Sequence, residues 1–446
     1  LTIEQPEPPR LAVNQSGLAF SFIQRAPAET RVLQIMNRGS GTLRFTAAAT
    51  TSSGGPWLRV VPESGSATAA SPASVAVTAD PGTLGAGTYS GRIVVSEEVT
   101  IPVTMAISAV PQSILLSQTG LTFTTVAGGG APAPQEIDVL NTGQGVLSFT
   151  ATATTFAGGN AWLAVSAAPE SVEVRVNPAG LAAGEYYGQV QISAPSADNT
   201  PQAVAVILNV LPAGSNPGPV VAPTGLVFTG VAGGASPGSQ VLAIANVTPS
   251  PVSFASGRVT LDGAGWFLHA PSDATVNPGD PVRLVVQTDL TGLTAGVRRG
   301  ALTLVFSDGS LRIVSTLLVV APAGTRQNVV AQAGCTPTRL LPVFTLLGEQ
   351  FNVPAGWPSP LEVRVVDDCG NPLRTGSVVA SFSNGDPPLS LSPLRDGRWS
   401  GTWQPRNASA QVTVSVAAEL SEQRLAGTAQ VTGALRAGAN PPVIGA

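Results

Sequence analysis

The sequence contains no lysine: all 22 basic residues among its 446 are arginine. It has one histidine, two cysteines and only 11% charged residues, against roughly 25% in an average soluble protein. Chemistry built on His, Cys or Lys is therefore short of material. The 26 acidic groups leave a net charge of -4, which excludes the basic footprint of a nucleic-acid-binding protein, and no nucleic acid is expected as a partner. Long hydrophobic runs are missing too. Residues 203–211 and 311–321 are short and are interrupted by Asn209, Arg312 and Ser315, so no membrane-spanning segment is expected. The chain starts at Leu1 with no charged n-region and apolar h-region. It reads as a secreted product whose signal peptide has been removed, placed outside the cell or at its surface.

What the sequence does contain is glycine (49) and proline (39), about a fifth of the chain. These are the two poorest helix formers, so a helical protein is excluded. Disorder is excluded in turn by the 43% hydrophobic content and low charge.

Internal repetition organises the rest. Gly17-Leu18-Ala19-Phe20 recurs as Gly120-Leu121-Thr122-Phe123 and as Gly225-Leu226-Val227-Phe228. Asn37, Asn141 and Asn246 keep the same step, as do Trp57, Trp162 and Trp266. Late in each copy come Ala86-Gly87-Thr88-Tyr89-Ser90-Gly91, Ala183-Gly184-Glu185-Tyr186-Tyr187-Gly188 and Ala295-Gly296-Val297-Arg298-Arg299-Gly300. A period near 100 residues is too long for a solenoid unit, so each copy is a domain. Runs such as Ser74-Val75-Ala76-Val77-Thr78 and Ile101-Pro102-Val103-Thr104-Met105 alternate with period two and end at Gly, Pro and Ser turns. About seven such strands per copy is what an immunoglobulin-like sandwich requires. Asn37-Arg38-Gly39-Ser40-Gly41 and Asn141-Thr142-Gly143-Gln144-Gly145 supply hairpin residues tolerant of positive φ. The third copy has Asn246-Val247-Thr248-Pro249-Ser250 there, which predicts a differently built turn.

The expectation is an all-β chain of four tandem immunoglobulin-like β-sandwiches in an elongated array. An extended segment covers 1–10, and the domains cover 11–110, 111–212, 224–322 and 323–446. A Pro/Gly linker is expected at 213–223. The last domain lacks the repeat markers but alternates in Leu361-Glu362-Val363-Arg364-Val365 and Val412-Thr413-Val414-Ser415-Val416.

The shared markers, above all Trp57-Leu58, Trp162-Leu163, Leu84-Gly85-Ala86-Gly87-Thr88-Tyr89 and Leu181-Ala182-Ala183-Gly184-Glu185-Tyr186, resemble those of BACON-type bacterial immunoglobulin-like modules over residues 11–321. The third copy departs with Trp266-Phe267 and with Arg298 where the others have Leu and Tyr. The resemblance implies secreted or surface modules that accompany carbohydrate-active enzymes, and from that company a sugar-binding role. The fourth region, through Asp368-Cys369-Gly370-Asn371-Pro372-Leu373 and Asp396-Gly397-Arg398-Trp399, resembles invasin-type spacer domains.

Several residues are candidates for chemistry. Cys335 and Cys369 both fall in the fourth domain, and in a secreted chain a disulfide is the simplest reading, with free buried thiols as the alternative. A metal site needs about four ligands, and no His lies nearby, so neither metal nor cofactor is expected. His269 stands alone, without a Gly-x-Ser-x-Gly elbow, and reads as a surface or edge residue. Asp367-Asp368 are read as solvated turn acids, with a calcium site as the alternative. Asn14-Gln15-Ser16, Asn246-Val247-Thr248 and Asn407-Ala408-Ser409 fit the glycosylation pattern, as chance matches. Trp57, Trp162 and Trp266 are read as core anchors. Trp399 and Trp403, four apart on a strand, share a face, either in the core or as an exposed aromatic pair facing a ligand. Leu1, Thr2 and Ile3 begin an alternating segment that could add a strand to an open edge of a neighbouring molecule. Lysine usually guards such edges, and there is none.

The function expected is that of a non-enzymatic extracellular structural or adhesive protein, either a stalk or a filament protomer that forms a head-to-tail homopolymer. The alternative is a carbohydrate-binding protein.

Overall fold

The computed structural model describes residues 7–109, 112–143, 145–156, 162–323 and 335–438. The chain is all-β and forms two compact units, residues 1–112 with 143–146 and residues 113–142 with 147–446. Leu1, Thr2 and Ile3 lie outside the described residues.

The first unit contains one sandwich. In one sheet Leu11–Val13 pairs with Glu29–Asn37, which pairs with Ala73–Ala79, which pairs with Leu58–Val61, all antiparallel. In the other, Leu18–Ile23 runs parallel to Val99–Ser108, followed by Gly87–Val95, Thr42–Thr51 and Ser64–Thr68. The strict alternation of burial along Leu18–Ile23 and Val99–Ser108 turns every second residue into the core. Leu33, Ile35, Val75, Val77, Ile93 and Met105 are fully enclosed there.

The second unit repeats this plan three times. The opening strands Gly120–Val126 and Gly225–Val231 run parallel to the closing strands Gln202–Leu211 and Leu311–Ala321. In the fourth sandwich Phe351–Pro354 likewise runs parallel to Leu425–Arg436. The fourth sandwich thus shares the parallel opening and closing strands of the repeats. It differs in its short strands: Leu389–Ser390 pairs with Ser377–Phe382 and Ser392–Pro393 with Arg398–Trp403, so the sheets that receive the fifth and sixth strands are exchanged.

The repeated residues have physical roles. Gly87, Gly184 and Gly296 adopt φ of 156°, 157° and 149°, which a side chain rarely allows. Two residues on, the Tyr89 hydroxyl donates to the Gly85 carbonyl and the Tyr186 hydroxyl to that of Ala182, each at 2.9 Å. Arg298 takes over in the third copy, donating to the Thr294 carbonyl at 3.2 Å and pairing with Asp262. The Tyr-to-Arg departure therefore preserves the bond to the residue four back.

Gly91 and Gly188 face the repeated Trp57 and Trp162, and Gly300 faces the ring of Phe267, next to Trp266. A Cβ on Gly188 would lie 2.9 Å from the Thr154 carbonyl and from Leu163, and 3.3 Å from Trp162. Trp57, Trp162 and Trp266 are buried, with 4%, 2% and 1% of their surface exposed.

The turn after the repeated Asn keeps its side-chain bonds in the third copy and changes its backbone. Asn37 accepts from the Gly39 amide at 2.9 Å and donates to the Gly41 carbonyl at 3.0 Å. Asn246 accepts from the Thr248 amide at 3.0 Å and donates to the Ser250 carbonyl at 2.8 Å. The side-chain bonds keep the same offsets, but Gly41 and Gly145 take φ of 76° and 85° four residues after the asparagine, where the third copy has Ser250 without a positive φ. The third copy keeps the asparagine's closing bonds on a different backbone, as its sequence predicts.

The 213–223 segment also differs from expectation. Val220–Ala222 is the first strand of the third sandwich, and the Arg312 guanidinium donates to the carbonyls of Pro219 and Pro217. The passage is held rather than free.

Within the second unit the fourth sandwich packs sideways on the second and third. It meets both at the same place, the start of the opening strand. The Thr119 amide donates to the Thr402 hydroxyl at 2.8 Å, and the Thr224 amide to the Thr345 carbonyl at 2.8 Å. The following glycines allow the approach: a Cβ on Gly120 would lie 2.4 Å from Pro358, and one on Gly225 2.2 Å from the Phe344 carbonyl. A separate apolar cluster of Val227, Leu317, Val319, Leu341, Val343 and Val366 seals the contact with the third sandwich. This explains why Leu311–Ala321 is buried almost continuously towards its end: both faces of the sheet are covered.

Candidate functional site

The most developed polar constellation joins the second and fourth sandwiches. Strand Arg398–Trp403 presents Arg398 to Asp138, at 3.0 and 3.1 Å through its two terminal nitrogens, and to Glu362 at 3.4 Å. This fork-on-carboxylate geometry fixes direction as well as attraction. Burial pushes the Glu362 carboxyl above its ordinary range, outweighing the pull of Arg398, and the Thr345 hydroxyl donates to it at 2.7 Å. Gln118, 2% exposed, bonds Ser400 at 2.5 Å and accepts from Thr402 at 3.0 Å. Arg395 pairs with Glu170 at the rim. Sequence reading missed this set because its contacts between the second and fourth sandwiches, such as Arg398–Asp138 and Thr402–Gln118, join residues 260 and 284 apart.

His269 comes close to a nucleophile pair. Its Nε2 is 2.9 Å from the Ser256 hydroxyl. The same hydroxyl lies 2.8 Å from the Ser272 carbonyl, which also accepts the Ser256 amide at 2.7 Å. No third group orients the imidazole: its Nδ1 is buried without a partner, so the pair lacks the orienting member of a triad. Burial, and then Arg258, hold its pKa below the usual histidine value.

The acids at 367–368 are tied into a turn. Asp367 accepts from the amides of Cys369 and Asn371, both at 2.9 Å. Burial pulls the Asp368 carboxyl upward, but the Thr338 hydroxyl and the amides of Thr338 and Arg339 outweigh this and hold it low. Their oxygens are engaged by protein donors, and no metal-ligating group of three or more side chains occurs among the described residues. Cys335 and Cys369 form a disulfide closing this turn onto the preceding segment.

The reading of Trp399 and Trp403 as ligand-facing is corrected. Both point into the fourth core, 2% and 3% exposed. The Trp399 indole donates to the Leu373 carbonyl and that of Trp403 to Asp386, each at 3.0 Å, while Trp403 stacks on Phe382 at 4.4 Å. They share a face, and it is the inner one. Among the described residues no helix is long and apolar enough to cross a membrane.

Residues 11–108 match the family model described as "Viral BACON domain", so the resemblance set out for three modules is matched over the first. No curated protein matches the chain. Among solved structures the chain is similar to the endo-fucoidan hydrolase MfFcnA4 from glycoside hydrolase family 107, at 14% identity over 72% of this chain and 45% of that one, with a TM-score of 0.19. It is similar to the human desmocollin-1 ectodomain at 10% identity, covering 97% and 80%, with a TM-score of 0.19. It is also similar to Drosophila N-cadherin EC1-4 at 13% identity, covering 88% and 92%, with a TM-score of 0.27. The chain spans less than half the length of the hydrolase. These likenesses assign no function to it.

Proposed function

We propose that the chain is a non-enzymatic extracellular protein with a structural and adhesive role, a multi-domain stalk or the protomer of a surface filament. The observation that carries this reading is the docking of the fourth sandwich on the opening strands of the second and third, through paired backbone bonds, the Arg398–Asp138 fork and an apolar seal. A tandem array whose last domain braces two others is stiffened against bending, which is a mechanical property and not a catalytic one. The disulfide suits an oxidising compartment. In the filament form, the segment beginning Leu1, Thr2, Ile3 adds a strand to an open sheet edge of the next molecule, head to tail.

Electron microscopy and light scattering across a concentration series test the reading, comparing the whole chain with one lacking residues 1–10. Concentration-dependent linear particles that vanish on deletion are the expected result. Unconnected particles of one size at every concentration would remove the filament. Saturable binding to a neutral glycan in an array, unaffected by the deletion, would replace it with the carbohydrate-binding alternative.

A further inference from the structure

The second sandwich is short of one strand. In each repeat a backbone amide closes back on the carbonyl of the repeated tryptophan: Asp80 on Trp57 at 2.8 Å, Asn177 on Trp162 at 2.7 Å and Asp289 on Trp266 at 2.8 Å. Trp57 to Asp80 and Trp266 to Asp289 are each 23 residues, whereas Trp162 to Asn177 is only 15. The extra residues carry the strand Ser64–Thr68 in the first sandwich and Asp273–Val276 in the third. In the second, Leu163–Ala168 turns straight back into Ser171–Val176, with Ala168 paired to Ser171.

The sister copies show what the missing strand covers. Ser64–Thr68 pairs with residues 42–46 and sets Gly65 opposite Phe45, while Asp273–Val276 pairs with residues 252–255 and sets Ala274 opposite Phe254. The Ala47 and Ser256 amides extend these ladders, donating to the Glu63 and Ser272 carbonyls at 2.8 and 2.7 Å. Phe45 and Phe254 are each 3% exposed. Phe149 holds the same place after the repeated Asn but is only partly buried. Residues 147–149 make no backbone bond among the described residues. The strand that follows, Thr150–Thr155, pairs on one side only, with Gly184–Ser193. Ala151 sits opposite Ile192 as Ala47 sits opposite Val95, so its amide points to the side left empty. Residues 147–155 hold no charge and no proline, the devices that keep a sheet edge from pairing.

We propose that this vacant edge receives residues 1–5 of a second copy of the chain. The inference rests on the strand-addition reading of the segment beginning Leu1, Thr2, Ile3 and names its acceptor. Leu1-Thr2-Ile3-Glu4-Gln5 alternates and stops at Pro6, which has no amide to continue a ladder. These residues suffice for the five vacant positions 147–151, about 17 Å of strand. In the antiparallel sense of the sister copies, Leu1 falls opposite the small Ala151, Ile3 opposite Phe149 and Gln5 opposite Leu147. The odd residues then take the inward places of Gly65 and Ala274, with Ile3 covering Phe149. Thr2 and Glu4 lie on the wet face beside Thr150 and Ser148, which are both exposed.

The test uses the full chain with Thr2→Cys and Thr150→Cys, which this register sets opposite each other in a non-hydrogen-bonded pair, where side chains come closest. Mild oxidation should link chains into dimers and longer ladders on a non-reducing gel, at least tenfold more than Thr2→Cys with Thr154→Cys, a position beyond the pairing. Excess peptide of residues 1–8 should block the ladder. Replacing residues 167–169 by residues 62–72, which restores the covering strand, should abolish it without lowering the melting temperature. The cysteine pairs decide the matter even if that larger replacement fails to fold. Linkage no greater than in the Thr154→Cys control, a linked product of single-chain size only, or an undiminished ladder in a folded strand-restored variant would overturn the proposal. Linear particles of the parent without this linkage would overturn the acceptor edge and leave the filament reading standing. Linkage without linear particles would uphold the edge and remove the filament, leaving closed pairs.

Discussion

Removing the Arg398 side chain should loosen the fourth sandwich from the second without unfolding either. Arg398 bonds both oxygens of Asp138, and the side chains are 35% and 22% exposed, while Glu362 on its other side is 10% exposed. Fully exposed pairs contribute about 0.2–1 kcal/mol, and breaking a buried pair costs about 3–5 kcal/mol. With solvent screening part of the field, an intermediate loss of about 1–2 kcal/mol in docking is expected for Arg398→Ala. That corresponds to roughly a 5–30-fold shift in the docking equilibrium. The Thr119 amide reports on it directly, because its acceptor is the Thr402 hydroxyl of the fourth sandwich. Hydrogen exchange at Thr119 should accelerate by that factor, while core amides such as that of Val190 keep their rates. A double-mutant cycle with Asp138→Asn should recover most of the loss as coupling. Strict additivity of the two substitutions, or unchanged exchange at Thr119 in Arg398→Ala, would refute the reasoning.

Gly188→Ala should destabilise the second sandwich by about 1–3 kcal/mol, because the methyl group meets a backbone carbonyl that cannot swing aside. Calorimetry should show its transition lowered, whereas Gly238→Ala, where no atom lies within 4 Å, should not move it. The raised pKa of Glu362 makes the folded state the tighter proton binder. Its contribution is fully present below the unfolded carboxyl value and is lost as pH rises through the folded one. Glu362→Gln should therefore flatten the decline in stability of the second unit over that window, as read from denaturant midpoints. Asp368 works in the opposite direction: its lowered pKa gives stability that is lost as pH falls below the ordinary aspartate range. Asp368→Asn should accordingly reduce the sensitivity of the fourth sandwich to acid.

The fold was legible where sequence and local geometry are tied together. Gly184 and Tyr186 recur because one needs an unusual φ and the other a carbonyl four residues back. Alternating burial follows from strands with one wet face. The docking of the fourth sandwich was not legible. Gly120 and Gly225 looked like repeat markers in common with Gly17, yet a Cβ on Gly17 would meet only Pro102, at 3.7 Å. The clue available was the loss of alternation in residues 311–321, which reads equally as a single buried strand in any sheet. Trp399 and Trp403 show the complementary limit. Spacing fixed that they share a face, but only the core composition decides which face.

The docking of the fourth sandwich predicts that the second, third and fourth sandwiches move as one body. Spin labels placed at Ser166 and Gln423, both exposed and on the second and fourth sandwiches, test it by pulsed dipolar spectroscopy. A single narrow distance distribution in the intact chain, broadened by Arg398→Ala, is the predicted result. A broad distribution in the intact chain would contradict the account.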